Sequence, residues 1–261
     1  MTLRGKTALV TGSTSGIGLG VARALAAEGA NVMLNGFGDP DAIDELRRTI
    51  ASTFAVEVDY DDANLMRAGG PGELVDRTHA RFGSLDVLVN NAGIQHVAPV
   101  ESFPVDQWDS IIALNLSAVF LGMRAAIPAM KRRGWGRIIN VASAHGLVAS
   151  VNKVAYVAAK HGVVGATKVA AIEVANDGIT VNAICPGWVL TPLVERQLEE
   201  RAVAHGSDVA AESDALLAEK QPMLQFTTPE AIGAMAVYLC SEAARTVTGT
   251  PISIDGGWVA Q

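Results

Sequence analysis

Tyr156 and Lys160 stand four residues apart in Tyr156-Val157-Ala158-Ala159-Lys160, a run that reads as the start of a helix. That spacing puts both side chains on one helix face. A free phenol ionises near pH ~10, so a tyrosine working as a base near neutrality needs its pKa lowered by roughly 2–3 units, some 3–4 kcal/mol. An ammonium one turn away, helped by a cationic ring, supplies stabilisation of that kind. Ser143 follows the strand-like run Arg137 to Val141, where its hydroxyl is placed to hold a reacting oxygen. Together the three suit proton transfer at a hydroxyl or carbonyl carbon. Taken singly, Ser143 is a turn residue and Tyr156 a packed aromatic.

A second chemical feature lies near the N-terminus. Thr11-Gly12-Ser13-Thr14-Ser15-Gly16-Ile17-Gly18 joins a strand to a helix. Gly12 permits a tight turn, Gly16 removes a Cβ so that a pyrophosphate can approach, and Gly18 allows close helix packing. The amides at the helix N-terminus suit an anion.

The elements that position these residues alternate along the whole chain. Strand runs are read at 7–10, 31–34, 54–58, 85–89, 137–141, 179–184 and 251–254. Helical runs are read at 16–28, 40–51, 72–81, 105–132, 154–176 and 229–240, with Gly29 and Gly178 as helix stops. The strand runs are continuously apolar, as in strands covered on both faces. The expectation is one α/β domain over 1–261, a Rossmann-type doubly wound parallel sheet of about seven strands. Residues 188–227 break the rhythm: an acidic, helix-prone stretch follows strand six, where open α/β sheets bind ligands. It reads as a helical substrate lid or as a surface insertion.

In this order, TGxxxGxG, Asn90-Asn91-Ala92-Gly93, Ser143, Tyr156-Val157-Ala158-Ala159-Lys160 and Pro186-Gly187 resemble the short-chain dehydrogenase/reductase family over essentially the whole chain. The resemblance implies hydride transfer with Tyr156 as general acid/base. It implies that Ser143 orients the reacting oxygen, and that Lys160 holds the nicotinamide ribose and lowers the Tyr156 pKa. Asn115 completes a tetrad and supports a proton-relay water. It further implies a nicotinamide cofactor held by Gly12, Thr14, Ser15, Gly16, Ile17, Gly18, Phe37, Asn64, Asn91, Ala92, Gly93, Leu114, Tyr156, Lys160, Pro186, Gly187, Val189 and Thr191.

No Arg or Lys lies in the glycine loop or in Asn35-Gly36-Phe37-Gly38, where a cation would meet a 2′-phosphate, so the cofactor is read as NAD. The acidic ribose ligand usual at the end of strand two is absent as well. Phe37 is read as packing against the adenine ribose side or as a loop anchor. Asn64 stands where the family commonly has an Asp facing adenine.

Further stretches (Gly93-Ile94-Gln95-His96, Ser143-Ala144-His145-Gly146, Asn152-Lys153, Gly187-Trp188, Glu195-Arg196-Gln197 and Gly256-Gly257-Trp258) resemble members of the family that act on (R)-3-hydroxybutyrate. That implies Gln95, His145, Lys153 and Gln197 around the substrate carboxylate, beside Ser143 and Tyr156. A small carboxylate needs a charge partner and donors, or desolvation wins. Trp188 and Trp258 wall a methyl site or are ordinary packing. The expected reaction is oxidation of (R)-3-hydroxybutyrate to acetoacetate. Alternatives are a 3-oxoacyl carrier-protein reductase, another short-chain 3-hydroxy acid dehydrogenase, or a nucleotide-sensing protein on the same fold.

Composition excludes other classes. The 261 residues are 49% hydrophobic and 18% charged with net charge −7, which argues against disorder and against a nucleic-acid partner. The longest stretch free of Asp, Glu, Lys and Arg, 178–194, is broken by Pro186 and Pro192, so no membrane partner is expected. Cys185 and Cys240 form no CxxC pair and the five histidines no HExxH, so no metal is expected. No signal peptide is read, and a reduced cytoplasm is the expected location. The family resemblance implies a homotetramer built through helices 105–132 and 154–176 and the last strand.

Overall fold

The computed structural model describes residues 2–260. Their elements run β1 (Thr7–Val10), α1 (Gly16–Ala27), β2 (Asn31–Asn35), α2 (Pro40–Phe54), β3 (Val58–Asp61), α3 (Gly70–Phe82) and β4 (Val87–Asn90). Then follow α4 (Val105–Ile112), a π turn (Ala113–Ser117), α5 (Ala118–Arg133), β5 (Gly136–Val141), α6 (Val154–Glu173) and β6 (Ile179–Pro186). The chain closes with α7 (Pro192–His205), α8 (Val209–Ala218), α9 (Pro229–Cys240) and β7 (Pro251–Ile254).

All seven strands are parallel, in the order β3-β2-β1-β4-β5-β6-β7. The alternating side chains of each central strand enter two different cores. Leu9, Leu88, Ile138 and Val181 pack with Leu74, Val119, Met130 and Val163 of α3, α5 and α6. Their neighbours Val10, Val89, Ile139 and Ile184 pack with Val21, Leu25, Ile50 and Leu239 of α1, α2 and α9. A strand buried on both faces needs no polar alternation, which is why the apolar runs are continuous.

Several boundaries differ from the sequence reading, strand three the most. Strand three lies at 58–61, not 54–58, because α2 carries on through Phe54 and stops at Ala55, whose φ of 54° is left-handed. The aromatic Phe54 and β-branched Val56 imitate a strand start. The true strand is an edge, paired to β2 alone, and its acids are held by arginines: half-exposed Asp59 pairs with Arg81 at 2.7 Å and the largely buried Asp61 with Arg77. Charge on an edge strand discourages pairing with another chain. The long helix read at 105–132 is real but carries the π turn in its middle. Helix α6 also stops at Glu173, and Gly178 serves the turn into β6 rather than the helix cap.

Among the described residues, the continuous run Val105–Arg133 is the one helix long and apolar enough to cross a membrane, by length and composition alone. Its Ile111, Val119, Met123, Ala126 and Met130 are buried in the molecule's own core.

Candidate active site

The C-terminal ends of the strands meet at the glycine loop after β1. Gly12 has φ +61°, and a Cβ there would lie 2.9 Å from the Ala92 Cα. A Cβ on Gly18 would lie 2.2 Å from the Gly12 carbonyl oxygen. These two glycines therefore serve contacts inside the protein. Gly16 differs: its φ is +54°, and its missing Cβ would meet only Thr191, at 3.4 Å. There the backbone is open to a ligand. Helix α1 starts at Gly16 with exposed Ser15 before it, and Ser15 makes no side-chain capping bond, so the first amides remain available. Ile17 packs against the core behind them.

The loop after β4 is tied to the glycine loop. Thr11 Oγ1 accepts from the Asn91 and Ala92 amides at 2.9 and 3.1 Å. Asn91 Nδ2 donates to the Thr11 and Gly12 carbonyls at 2.9 and 3.0 Å. The Asn91 side-chain amide is thus committed to positioning the loop. Asn35, which the sequence reading noted only as a non-cation, does the same for β2 and β3. It is 1% exposed. Its Nδ2 donates to the Asp61 and Ala63 carbonyls at 3.0 and 3.2 Å, and its Oδ1 accepts from the Gly12 amide at 3.4 Å. A polar residue ending an apolar strand was the available signal. Thr14 Oγ1 donates to the Phe37 carbonyl at 3.1 Å. Phe37 itself is 64% exposed, so it is not a packed loop anchor. Asn64 is exposed and its Oδ1 accepts from the Met66 amide at 3.0 Å.

Asn115 sits in the π turn, fully buried. Such turns occur often at functional sites. Its Oδ1 accepts from the Ile94 amide at 2.9 Å and its Nδ2 donates to the Ile94 carbonyl at 2.8 Å. It therefore clamps the loop that carries Gly93 and Gln95. Leu114 beside it packs against the core. Ser143 lies in extended backbone after β5, and its Oγ accepts from the His145 amide at 3.1 Å. Lys160 Nζ donates to the Val141 carbonyl at 2.8 Å and lies 5.6 Å from the Tyr156 ring centre. Burial lowers the Lys160 pKa to about 8. Burial also raises the Tyr156 pKa, while the bond from Ser143 lowers it. The sequence reading expected Lys160 to lower it. Within the protein itself burial is the larger influence on the phenol and Ser143 the opposing one, while the Lys160 ammonium is directed at the Val141 carbonyl.

The substrate end is assembled around His145. Its ring lies edge-on to Tyr156 and to Trp258, with centres 5.9 and 5.0 Å apart. Trp258 stacks on Trp188 at 6.1 Å, and Lys153 Nζ lies 5.4 Å from the Trp188 ring centre. Asn152, in the left-handed region at φ 63°, turns the chain so that Lys153 heads α6. His145 is buried, and burial, with Lys153, Lys220 and His161 adding repulsion, lowers its pKa to about 4. A neutral imidazole follows, its Nε2 2.9 Å from Ser150 Oγ. Burial likewise lowers the Lys153 pKa, with Glu219 opposing and Lys220 assisting. The Trp188 Nε1–H is buried without a partner among the described residues.

Gln95 and Gln197 are both exposed; the structure does not bring them into this cluster. Thr191 caps α7 through its bond from the Val194 amide at 3.4 Å, and Val189 is buried beside Thr227. Pro186 ends β6, and Gly187 packs against Gln221 and Asp255 rather than facing open space. No group of three metal-binding side chains occurs among the described residues.

Comparison with known proteins places the chain in a family. A family model described as Enoyl-(Acyl carrier protein) reductase matches residues 12–259. The chain is 57% identical over 260 residues to D-beta-hydroxybutyrate dehydrogenase of Cupriavidus necator, covering 99% of this chain and 100% of that protein. It is 51% identical over 256 residues to the Rhizobium meliloti protein of the same name, covering 98% and 99%. Among solved structures it resembles a single-substitution variant of actinorhodin polyketide ketoreductase with NADPH, with TM-score 0.89, 34% identity and 98% of each chain covered. Likeness of that extent settles membership: the chain belongs to the short-chain dehydrogenase/reductase family.

Proposed function

We propose that the protein catalyses the NAD-dependent, reversible oxidation of (R)-3-hydroxybutyrate to acetoacetate. One observation carries the reading: Lys153 and a neutral His145 stand beside the Tyr156–Ser143 pair, walled by Trp188 and Trp258. That is a site for a short acid with a hydroxyl a few bonds from its carboxylate. The likeness to the two D-beta-hydroxybutyrate dehydrogenases supports it.

The residues around the glycine loop fit a dinucleotide: Gly16 is open at positive φ, the α1 amides are uncapped, Phe37 is exposed, and no cation lies in the loop or beside Phe37 in sequence. Thr191, against Gly16, reaches the same face from the lid. The missing cation favours NAD over NADP. A bound nicotinamide supplies the acceptor for the hydride that leaves C3 of the hydroxy acid.

The chain's own residues do the rest. Ser143 holds the substrate oxygen through its hydroxyl, which also draws on the Tyr156 proton. Tyr156 Oη takes the hydroxyl proton in oxidation and returns it in reduction, a role that needs the effect of burial on the phenol offset by the cationic ring of a bound cofactor. Lys160 sets the charge behind the phenol. Lys153 pairs with the carboxylate, and the unspent Trp188 Nε1–H is a further donor in the wall. Residues 188–227 act as a lid, and its closure brings exposed Gln197 to the acid while Gln95 approaches from the β4 loop. The apolar faces of Trp188 and Trp258 take the methyl group. Distinct places for methyl and carboxylate fix which face of C3 is presented, which accounts for a preference for one enantiomer.

The purified protein with NAD and the R acid is expected to generate NADH; equal turnover of the S acid, or preference for NADPH and a carrier-bound 3-oxoacyl substrate, overturns the assignment. Lys153→Ala is expected to lower kcat/KM for the acid roughly 100-fold, the scale of about 3 kcal/mol for truncating a buried charge partner. An unchanged value removes Lys153 from the acid site.

A further inference from the structure

Gln221 follows α8 and is 1% exposed. Neither end of its amide is idle. Oε1 accepts from the Trp188 amide at 2.6 Å, and Nε2 donates to the Gln225 carbonyl at 3.1 Å. The amide occupies space that two glycines leave open. A Cβ on Gly187 would lie 2.4 Å from Gln221 Oε1, and one on Gly256 2.8 Å from its Nε2. One side chain therefore joins the entry of the 188–227 segment, its exit, and the turn that leads to Trp258. The backbone around it is knitted in the same sense: Thr227 N donates to the Trp188 carbonyl at 3.0 Å, and Met223 N to the Gly256 carbonyl at 3.0 Å.

A buried amide with both ends satisfied fixes its partners, and losing it leaves the Trp188 N–H and the Gln225 carbonyl to find new ones. What Trp188 carries makes this more than packing. Its ring stacks on Trp258 and lies beside Lys153. A shift of the Trp188 backbone moves the wall of the acid pocket, while Ser143 follows β5 and Tyr156 and Lys160 stand on α6, outside the network.

We propose that Gln221 is a positioning residue for acid recognition: acting through Trp188, it sets KM for the hydroxy acid and leaves the chemical step largely alone. The proposal rests on the reading of this site as a 3-hydroxy acid dehydrogenase.

The test is steady-state kinetics of the intact enzyme with NAD and (R)-3-hydroxybutyrate. Gln221→Leu removes both bonds at similar volume. Gln221→Asn keeps an amide too short to reach Trp188, and serves if the leucine variant fails to fold. Each is expected to raise KM roughly tenfold with kcat within about twofold, on the scale of losing one or two buried hydrogen bonds. NAD affinity, measured by binding, should not move. In a Trp188→Ala background, the same substitution should raise KM no further, because the residue it acts through is gone. An unchanged KM, a fall in kcat at constant KM, or effects that multiply in the double variant overturn the proposal and leave the dehydrogenase reading standing. Absence of turnover in the unsubstituted enzyme removes both.

Discussion

The phenol of Tyr156 is held by opposed influences: burial keeps its proton on, and Ser143 draws it off. Burial also lowers the Lys160 pKa, to about 8. Replacing Tyr156 by Phe keeps the ring and removes the proton carrier, so kcat/KM should fall by roughly 10²–10⁴-fold, the usual worth of general acid/base catalysis. His145 gives a pH dependence of stability. Its ordinary pKa of 6.5 falls to about 4 in the fold, so between those values the unfolded chain binds a proton that the folded chain refuses. The contribution from a neutral His145 is complete above 6.5 and disappears as pH drops towards 4. Thermal midpoints of the native protein should therefore fall more steeply across that window than those of His145→Gln. At this scale the sequence was readable where chemistry lies along one helix, as in Tyr156 and Lys160. Gln221 and the inward commitment of Asn91 were not readable, because each bonds to backbone that the topology delivers from elsewhere, and Asn35 showed only as a polar residue ending an apolar strand.

Helices α7 and α8 illustrate what a segment's composition says and withholds. Its many acids mark residues 188–227 as helical and solvent-facing, and two helices do form there. One acid, Glu212, is buried instead, accepting from Ser207 Oγ at 2.6 Å and Arg201 Nε at 3.0 Å, with His205 Nδ1 at 2.9 Å. Those bonds, Ser207 first and then His205, lower its pKa to about 2 against the opposing effect of burial. A carboxylate lowered in this way contributes fully above its ordinary range near 4.5 and is lost only as pH falls through about 2, so the clasp persists at any working pH. Glu212→Gln should free α8 from α7. Hydrogen exchange of amides in 192–218 should speed up while those of the central strands do not, and equal protection in both proteins would count against a clasp. No periodicity separates Glu212 from its exposed neighbours, since the distinction comes from Arg201 and His205 on the facing helix. Strand three shows the converse error: Phe54 and Val56 suggest a strand that starts too early, and an αL residue, Ala55, decides the boundary.

For the molecule as a whole, the sheet consumes nearly all its apolar strand residues in two cores, yet α5 and α6 keep apolar side chains outside. Phe120, Val169 and Ile172 are 53, 57 and 78% exposed. Continuous strand runs made the covered parallel sheet legible, because both faces obey one rule. The outward helix faces obey no such rule: an apolar residue there is core or interface according to what lies opposite. We propose that these faces pair with other copies of the chain in a homotetramer. Closed symmetry repeats each contact, so a single substitution counts at least twice. Ile172→Lys and Phe120→Lys each place a charge where an apolar side chain worth about 1.5–3 kcal/mol of burial would sit. Neither side chain supports the protomer's own core, so circular dichroism and the sheet's exchange protection should be retained. Light scattering should give a tetramer for the native chain and smaller species for the double variant. A monomeric native chain, or a double variant of undiminished mass, assigns these faces to solvent.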